Sequence, residues 1–108
     1  MSVIMMLHID VDPKKFEEYA AANPDRLKAI SDQAVGHGLI AHRFLGNEES
    51  GKAMVIDEWE KPEDFQAFFE RVGPEVQALM GDMGVTSPPG APEFWRVLES
   101  HDKQGWES

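Results

Sequence analysis

At 108 residues the chain has the length of one domain, which excludes a multidomain assembly or a long repeat array. Hydrophobic residues make up 42% of it and charged residues 28%, a globular composition rather than a disordered one. Twenty acidic against ten basic side chains give a net charge of −10, and there is no cysteine, so nucleic acid, disulfides, thiolate metal sites and cysteine nucleophiles are disfavoured.

The side chains of the first residues are expected to alternate between two faces, as they do in a β-strand. Val3 and Met5 fall on one face and Ile4 and Met6 on the other, so this strand, predicted over residues 3–11, is apolar on both faces. The apolar stretch is too short to span a membrane and runs into Asp10 without the basic start or cleavage site of a signal peptide. We therefore expect a cytoplasmic protein.

Two Asx-Pro pairs are expected to start consecutive helices. Asp12-Pro13 combines a capping side chain with a residue whose fixed φ suits the first helical position. At Asn23-Pro24 the proline should break this helix, and Asn23 should cap the next one. The second helix should end at Gly36-His37-Gly38, because glycine suits a left-handed helix stop.

A hairpin and a broken helix follow. Residues 39–45 and 52–59 are predicted strands joined by a short turn, so they must be antiparallel. From residue 61 the helical spacing of Phe65, Phe68 and Phe69 predicts a helix, and we expect Gly73-Pro74 to interrupt it before a further helix to residue 83. Residues 84–92 are predicted loop and 94–98 the last strand.

The order of elements is therefore β-α-β-β-α-β. Right-handed crossovers place such strands in one four-stranded antiparallel sheet with the helices on one face, the ferredoxin-like α+β fold. We expect one domain over residues 1–99 and a tail over 100–108, in which Trp106 is unassigned. Because the first and third strands are apolar on both faces, the uncovered sheet face should be buried against a second copy, and we predict a homodimer.

The third strand and the start of the next helix carry a resemblance to a known family. Residues 55–60 (VIDEWE) and 61–65 (KPEDF) resemble the antibiotic-biosynthesis-monooxygenase-like family, and residues 38–44 (GLIAHRF) fit its second strand. The resemblance covers about residues 2–99 and implies a dimeric α/β barrel. The family contains cofactor-free oxygenases acting on polyketide anthrones and quinols, haem-degrading enzymes, isomerases and members of no known activity, and the fold does not choose among them.

The resemblance also implies site residues. Trp59 matches the tryptophan that lines the ligand cavity of the oxygenases, but Val55 stands where the same subgroup has an asparagine. The haem-degrading members use an asparagine in the first strand and a histidine in the helix after the tryptophan. This chain has neither at those places, so haem degradation is disfavoured.

Histidines are the first candidates for proton transfer, because imidazole titrates near neutral pH. His8 lies in the first strand and His42 in the second, and the two could converge if those strands are neighbours. We predict that one of them is the catalytic base, the alternative being a core or interface histidine that bonds a backbone carbonyl. His37, in the glycine turn, should be solvated, and His101 belongs to the tail.

Other chemistry has weaker signals. His8, Asp10 and His42 could supply metal ligands, but their spacing is common by chance, and we predict no metal site. Asp57 and Glu58 could each act as acid or base, although adjacent strand residues face opposite ways and cannot work as a pair. Without a glycine-rich phosphate loop, dinucleotide fingerprint or nucleophile elbow, no cofactor is predicted.

Aromatic and methionine side chains at helical or strand spacing form either plain core or, in part, a cavity for a flat hydrophobic ligand. Tyr19 would offer a hydroxyl and Arg43 a cation near its mouth. The predicted substrate-binding residues are Trp59, Tyr19, Arg43, Phe65, Phe69 and Met80.

The leading hypothesis is a small cofactor-independent monooxygenase-like enzyme acting on an electron-rich aromatic, quinol or polyketide-like molecule. A base in the pocket would favour the substrate anion, and the anion itself would reduce dioxygen. The alternatives are a noncatalytic dimeric protein that binds a small ligand, and an isomerase or cyclase on the same scaffold.

Overall fold

The computed structural model describes residues 2–87, 89–102 and 104. Its elements in chain order are β1 (Val3–Ile9), α1 (Pro13–Ala22), α2 (Pro24–Val35), β2 (Leu39–Asn47), β3 (Lys52–Trp59), α3 (Pro62–Met83) and β4 (Glu93–Arg96). The predicted ferredoxin-like order of strands and helices is confirmed. Trp106 lies outside the described residues.

The four strands form an antiparallel sheet in the order β2-β3-β1-β4. In its register His42 of β2 lies opposite Asp57 of β3, and His8 of β1 lies opposite Met54 of β3. Because Met54 and Asp57 are an odd number of residues apart, the two histidines point to opposite faces of the sheet. The expectation that His8 and His42 converge is therefore wrong, since β3 also separates their strands.

The strand alternation divides the sheet into two different faces. On the face that packs against the helices, Met5, Leu7 and Val55 are buried in the main hydrophobic core. On the other face, which is open, Ile4 and Met6 are only half-buried. Towards the edges of the open face Leu45 is 39% exposed and Trp95 is 57% exposed. Apolar side chains thus lie on both faces, as predicted.

The break between α1 and α2 occurs at Asn23-Pro24, as predicted, but Asn23 acts differently. Its side chain does not cap α2; instead Nδ2 donates to the backbone oxygen of Tyr19 at 3.1 Å, in the last turn of α1. At the other end of α2, Gly36 stays right-handed and Gly38 takes the left-handed conformation with φ of 110°. A Cβ atom at position 38 would lie 2.5 Å from an Asp64 carboxylate oxygen, so that turn requires glycine.

Helix α3 is continuous through Gly73-Pro74, so the predicted interruption is wrong. Proline inside a helix removes one hydrogen bond and costs about 3 kcal/mol or more. The helix continues because its apolar stripe keeps the same phase on both sides of the proline, with Val72 before it and Leu79 and Met83 after it all buried. Packing of this stripe on the sheet therefore outweighs the local cost.

The remaining differences concern strand ends. β1 ends two residues before Val11, and β2 continues to Asn47. β4 begins at Glu93 opposite Met6 and ends at Arg96 opposite Val3, so its length is set by pairing with β1 rather than by its own sequence. None of the helices in the described part of the chain has the length and apolar character of a membrane span.

Candidate functional site

A cavity of about 110 Å³ lies between the sheet and helices α2 and α3. Its wall is almost entirely apolar. Four predicted substrate-binding residues line it, namely Trp59, Phe65, Phe69 and Met80. The polar or ionisable side chains in the wall are Ser31, His42 and Asp57.

Trp59 is the centre of the aromatic wall. It is 1% exposed, and its ring lies edge-on to Phe65 at 5.7 Å and tilted against Phe68 at 5.6 Å between centroids. A buried indole needs an acceptor for its N–H group, and here Trp59 Nε1 donates to Asp57 Oδ2 at 3.2 Å. The tryptophan therefore fixes both the shape of the wall and the position of a carboxyl group.

Asp57 is a buried acid in this apolar setting. Its exposure is 8%, because the two-residue period of β3 places it on the helix face together with Val55 and Trp59. Its Oδ1 atom is buried and has no hydrogen-bond partner among the described residues. Burial raises the pKa of Asp57, and the hydrogen bond from Trp59 and the nearby His42 only partly oppose that rise.

His42 completes the polar part of the cavity. It lies directly opposite Asp57 across the β2-β3 pair, and its Nδ1 atom is 3.8 Å from Asp57 Oδ1. That separation is longer than a hydrogen bond, so the two side chains are neighbours without a direct bond between them. The side chain is 30% exposed and its ring lies edge-on to Phe44 at 5.4 Å. The pair can therefore accept a proton from a ligand in the cavity.

The sequence named Asp57 as a possible acid or base, but Asp57 was not among the predicted catalytic or substrate-binding residues. The signal was present in the alternation of β3, where Ala53, Val55 and Trp59 are all buried and Asp57 occupies the same series. An acid inside a buried period-two series must either find a partner or shift its pKa. That reading of the pattern would have found the residue.

Three other predicted site residues lie elsewhere. His8 and Arg43 are on the open face of the sheet, opposite Met54 and Ile56 of β3 respectively. The Tyr19 hydroxyl accepts a hydrogen bond from Arg26 Nη1 at 2.8 Å, and the same guanidinium is paired with Asp82. Tyr19 thus belongs to a link between α1, α2 and α3 at the surface.

The other histidines lie away from the polar pair. His37 Nδ1 lies 3.0 Å from the backbone oxygen of Gln33, and its ring lies edge-on to Phe68. His101 is exposed. Within the described ranges, no three His, Asp or Glu side chains are grouped so that they could hold a metal ion.

The open four-stranded sheet with a cavity under its helices defines a ferredoxin-like α+β protein. Neither a protein-family model nor a curated protein sequence matches the chain. Solved structures do match it over nearly its whole length. It is similar to a protein of Bordetella bronchiseptica named as an antibiotic biosynthesis monooxygenase, with a TM-score of 0.66 and 17% identity over 90% of this chain and 98% of that one.

Two further structures share the fold. One is SnoaB, a cofactor-independent oxygenase from Streptomyces nogalater, with a TM-score of 0.61 and 15% identity over 92% of this chain and 95% of that one. The other is a dimeric ferredoxin-like protein from an uncultured marine organism. It has a TM-score of 0.64 and 13% identity, over 92% of this chain and 90% of that one. The chain therefore has the fold of antibiotic biosynthesis monooxygenase-like proteins, as its sequence resemblance predicted.

The buried state of Asp57 has a measurable effect on stability. Because its pKa is raised in the folded protein, the folded state holds this proton more tightly than the unfolded chain does. The free energy of unfolding therefore falls as pH rises from the ordinary aspartate pKa of about 4 through the raised value. Asp57→Asn keeps an acceptor for Trp59 and removes the charge, so at pH 7 it should be more stable than the unmodified protein.

Urea unfolding at a series of pH values measures this difference. The advantage of Asp57→Asn should shrink as the pH is lowered through the raised pKa of Asp57, and it should be smallest below about 4, where the aspartate is neutral in both states. Glu58→Gln, in the same strand on the open face, is the matched control. If Asp57→Asn were no more stable than the unmodified protein at pH 7, or if the difference in the free energy of unfolding did not change with pH, Asp57 would not be a destabilising buried charge.

Proposed function

We propose that the protein is a cofactor-independent oxygenase that acts on a small, electron-rich hydroxylated aromatic or quinol-type molecule. The observation that supports this most is the buried Asp57 carboxyl, with one unpartnered oxygen beside His42 in an otherwise apolar cavity. Such a site binds a flat apolar ring and offers one place for proton transfer. The similarity in fold to a cofactor-independent oxygenase agrees with this function.

In this proposal His42 is the general base. Its imidazole takes the proton from the substrate hydroxyl or from the acidic carbon next to the ring carbonyl, and the Asp57 carboxylate stabilises the imidazolium that forms. Trp59 holds the Asp57 carboxyl through Oδ2, which leaves Oδ1 directed to His42. The apolar walls exclude water from the anion, so that it stays reactive towards dioxygen.

The chemistry balances without a further reductant. The substrate anion gives one electron to dioxygen, and the two radicals combine to form a carbon–oxygen bond and a peroxide. The imidazolium returns its proton as the oxygen–oxygen bond breaks. One oxygen atom becomes the new carbonyl oxygen of the product, and the other leaves as water with two hydrogens, namely the proton that His42 took from the substrate and the hydrogen carried by the carbon that gained oxygen. The substrate supplies all four electrons that reduce dioxygen.

An oxygen electrode tests the proposal directly. Purified protein with a panel of anthrones and hydroquinones, without added cofactor, should consume oxygen faster than the buffer control. His42→Ala should lower the rate by about 100-fold or more, since that is the usual contribution of a general base. His8→Ala is the matched control, because His8 lies on the opposite face of the sheet, and it should leave the rate unchanged.

The alternative functions are separate outcomes of the same experiment. Binding of the panel without oxygen uptake would indicate a noncatalytic ligand-binding protein. Exchange of a substrate proton with solvent deuterium, lost in His42→Ala and without oxygen uptake, would indicate an isomerase or cyclase. Either result would overturn the proposal that the protein is an oxygenase.

We infer in addition that the open sheet face is covered by a second copy of the chain. Four apolar side chains occupy its central strands, namely Ile4, Met6, Met54 and Ile56. A contiguous apolar face of this kind is unusual on the surface of a monomer, and a twofold contact is the simplest way to close it. One protein with the same fold is named as dimeric.

Sedimentation velocity at micromolar concentration tests this inference. The unmodified chain should sediment as a dimer, and Met6→Glu should sediment as a monomer, because a carboxylate between its cross-strand neighbours Ile56 and Glu93 would be buried unpaired in the contact. Ala29→Glu places the same charge on an exposed position of α2 and should remain dimeric. A monomeric unmodified chain would contradict the inference.

A further inference from the structure

A second pocket, separate from the cavity beside Asp57, lies between the start of α1 and the hairpin of β2 and β3. It has a volume of about 240 Å³, which is larger than an engineered apolar cavity of about 150 Å³ that holds benzene. Its wall includes Pro13, Phe16 and Glu17 of α1 together with Phe44, Gly46 and Glu48 of the hairpin. Phe44 lies opposite the buried Val55, so this α1 pocket is on the helix side of the sheet and not on the open face inferred to bind a second copy.

The backbone around the α1 pocket is fixed by a close approach of two elements. A Cβ atom at Gly46 would lie 2.9 Å from the Cβ atom of Pro13, so β2 meets the start of α1 without room for a side chain. The turn after β2 is held by Asn47, whose Oδ1 atom accepts the backbone N–H of Ser50 at 3.2 Å. In this turn the Oε1 atom of Glu48 lies 3.8 Å from the same Cβ position at Gly46. The Glu48 carboxylate therefore lies at the pocket, although the residue is exposed.

Two aromatic rings form one corner of the α1 pocket. The centroids of Phe16 and Phe44 are 4.7 Å apart and their planes are inclined at 43°, so the rings meet at an angle instead of stacking face to face. Phe16 is half-buried and Phe44 is 36% exposed, so part of each ring is open to a ligand. Because the face of an aromatic ring is the negative side of its quadrupole, it attracts cations.

The charge of the α1 pocket has one sign. The ionisable residues in its wall are Glu17 and Glu48, and among the described residues neither carboxylate has an ion-pair partner. Lys52 of the hairpin pairs with Asp10 instead. The net charge of −10 adds a general attraction for cations. The carboxylates therefore favour a cation, and the rings favour one with apolar substituents over a bare ammonium, which is strongly hydrated.

We propose that the α1 pocket binds an alkylated ammonium ion, with a trimethylammonium group as the preferred form. The methyl groups contact the rings of Phe16 and Phe44, and the charge lies near the carboxylates of Glu17 and Glu48. Binding of quaternary ammonium ions is a general use of aromatic side chains in proteins. The site goes beyond the proposed oxygenase, because its glutamates do not line the first cavity.

Three small probes test the proposal. Choline, ethanolamine and 3,3-dimethylbutan-1-ol carry a trimethylammonium, an ammonium and an uncharged tert-butyl group on the same two-carbon alcohol. Binding to the full chain is followed by NMR of ¹³C-labelled phenylalanine rings at constant ionic strength, because salt screens exposed charges. Choline should bind with saturation and at least about tenfold more tightly than either of the other probes, since only choline combines the charge with the methyl groups.

Paired glutamate variants separate the α1 pocket from the general charge of the protein. Glu17→Gln combined with Glu48→Gln should lower the affinity for choline by about tenfold or more. Glu18→Gln combined with Glu49→Gln is the matched control. It removes the same charge from the next residue along the chain in each case, both of them exposed and outside the pocket wall, and should change the affinity less than about twofold.

Phe16→Leu tests the aromatic part, since Phe44 lines both the α1 pocket and the first cavity. Leucine keeps an apolar side chain but has no ring face. The affinity for choline should therefore fall by about threefold or more, while that for 3,3-dimethylbutan-1-ol changes less. If this variant does not fold, the comparison of the two glutamate pairs still decides the matter.

Three results would each overturn the ammonium site. They are equal affinities for choline and 3,3-dimethylbutan-1-ol, equal losses in the two glutamate pairs, and no response of the Phe16 ring resonances to choline. None of these measurements involves oxygen uptake, so the ammonium site and the oxygenase can fail separately.

Discussion

The hydrogen bond from Trp59 Nε1 to Asp57 Oδ2 determines what the cavity can do. It satisfies the only polar group of the indole, which allows that large ring to be buried at the centre of the aromatic wall. It also fixes one carboxylate oxygen, so the other is presented to His42 without a partner of its own among the described residues. A buried charge held in this way costs stability, and such a cost is typical of groups that serve a function rather than the fold.

The alternation of β3 has consequences on both faces of the sheet. Ala53, Val55, Asp57 and Trp59 face the helices, where they build the core and the cavity. The residues between them include Met54 and Ile56, which give the open face its apolar character. A change of register by one residue would exchange the two sets and move the acid out of the cavity. The catalytic proposal and the dimer inference therefore depend on the same register, although each is tested separately.

The order of elements followed from the sequence because strand alternation, helical spacing and proline-containing helix starts are local signals. The break between α1 and α2, for example, was predictable from the Asn23-Pro24 pair alone. The continuity of α3 through Pro74 was not predictable in the same way, because it depends on packing of Val72 and Leu79 against the rest of the fold. Cavity-lining aromatic residues were found by their spacing, whereas the separation of His8 from His42 needed the strand order, which no local pattern contains.

The ionisation of Asp57 is the most direct test of this account. The carboxyl carbon of Asp57 can be followed by ¹³C NMR from low to neutral pH in protein labelled at aspartate, with Asp57→Asn identifying its resonance. Burial in the cavity predicts a midpoint above the ordinary aspartate value of about 4. A midpoint at or below that value would mean that the carboxyl is solvated or fully paired, and would contradict an acid held unpaired in an apolar cavity.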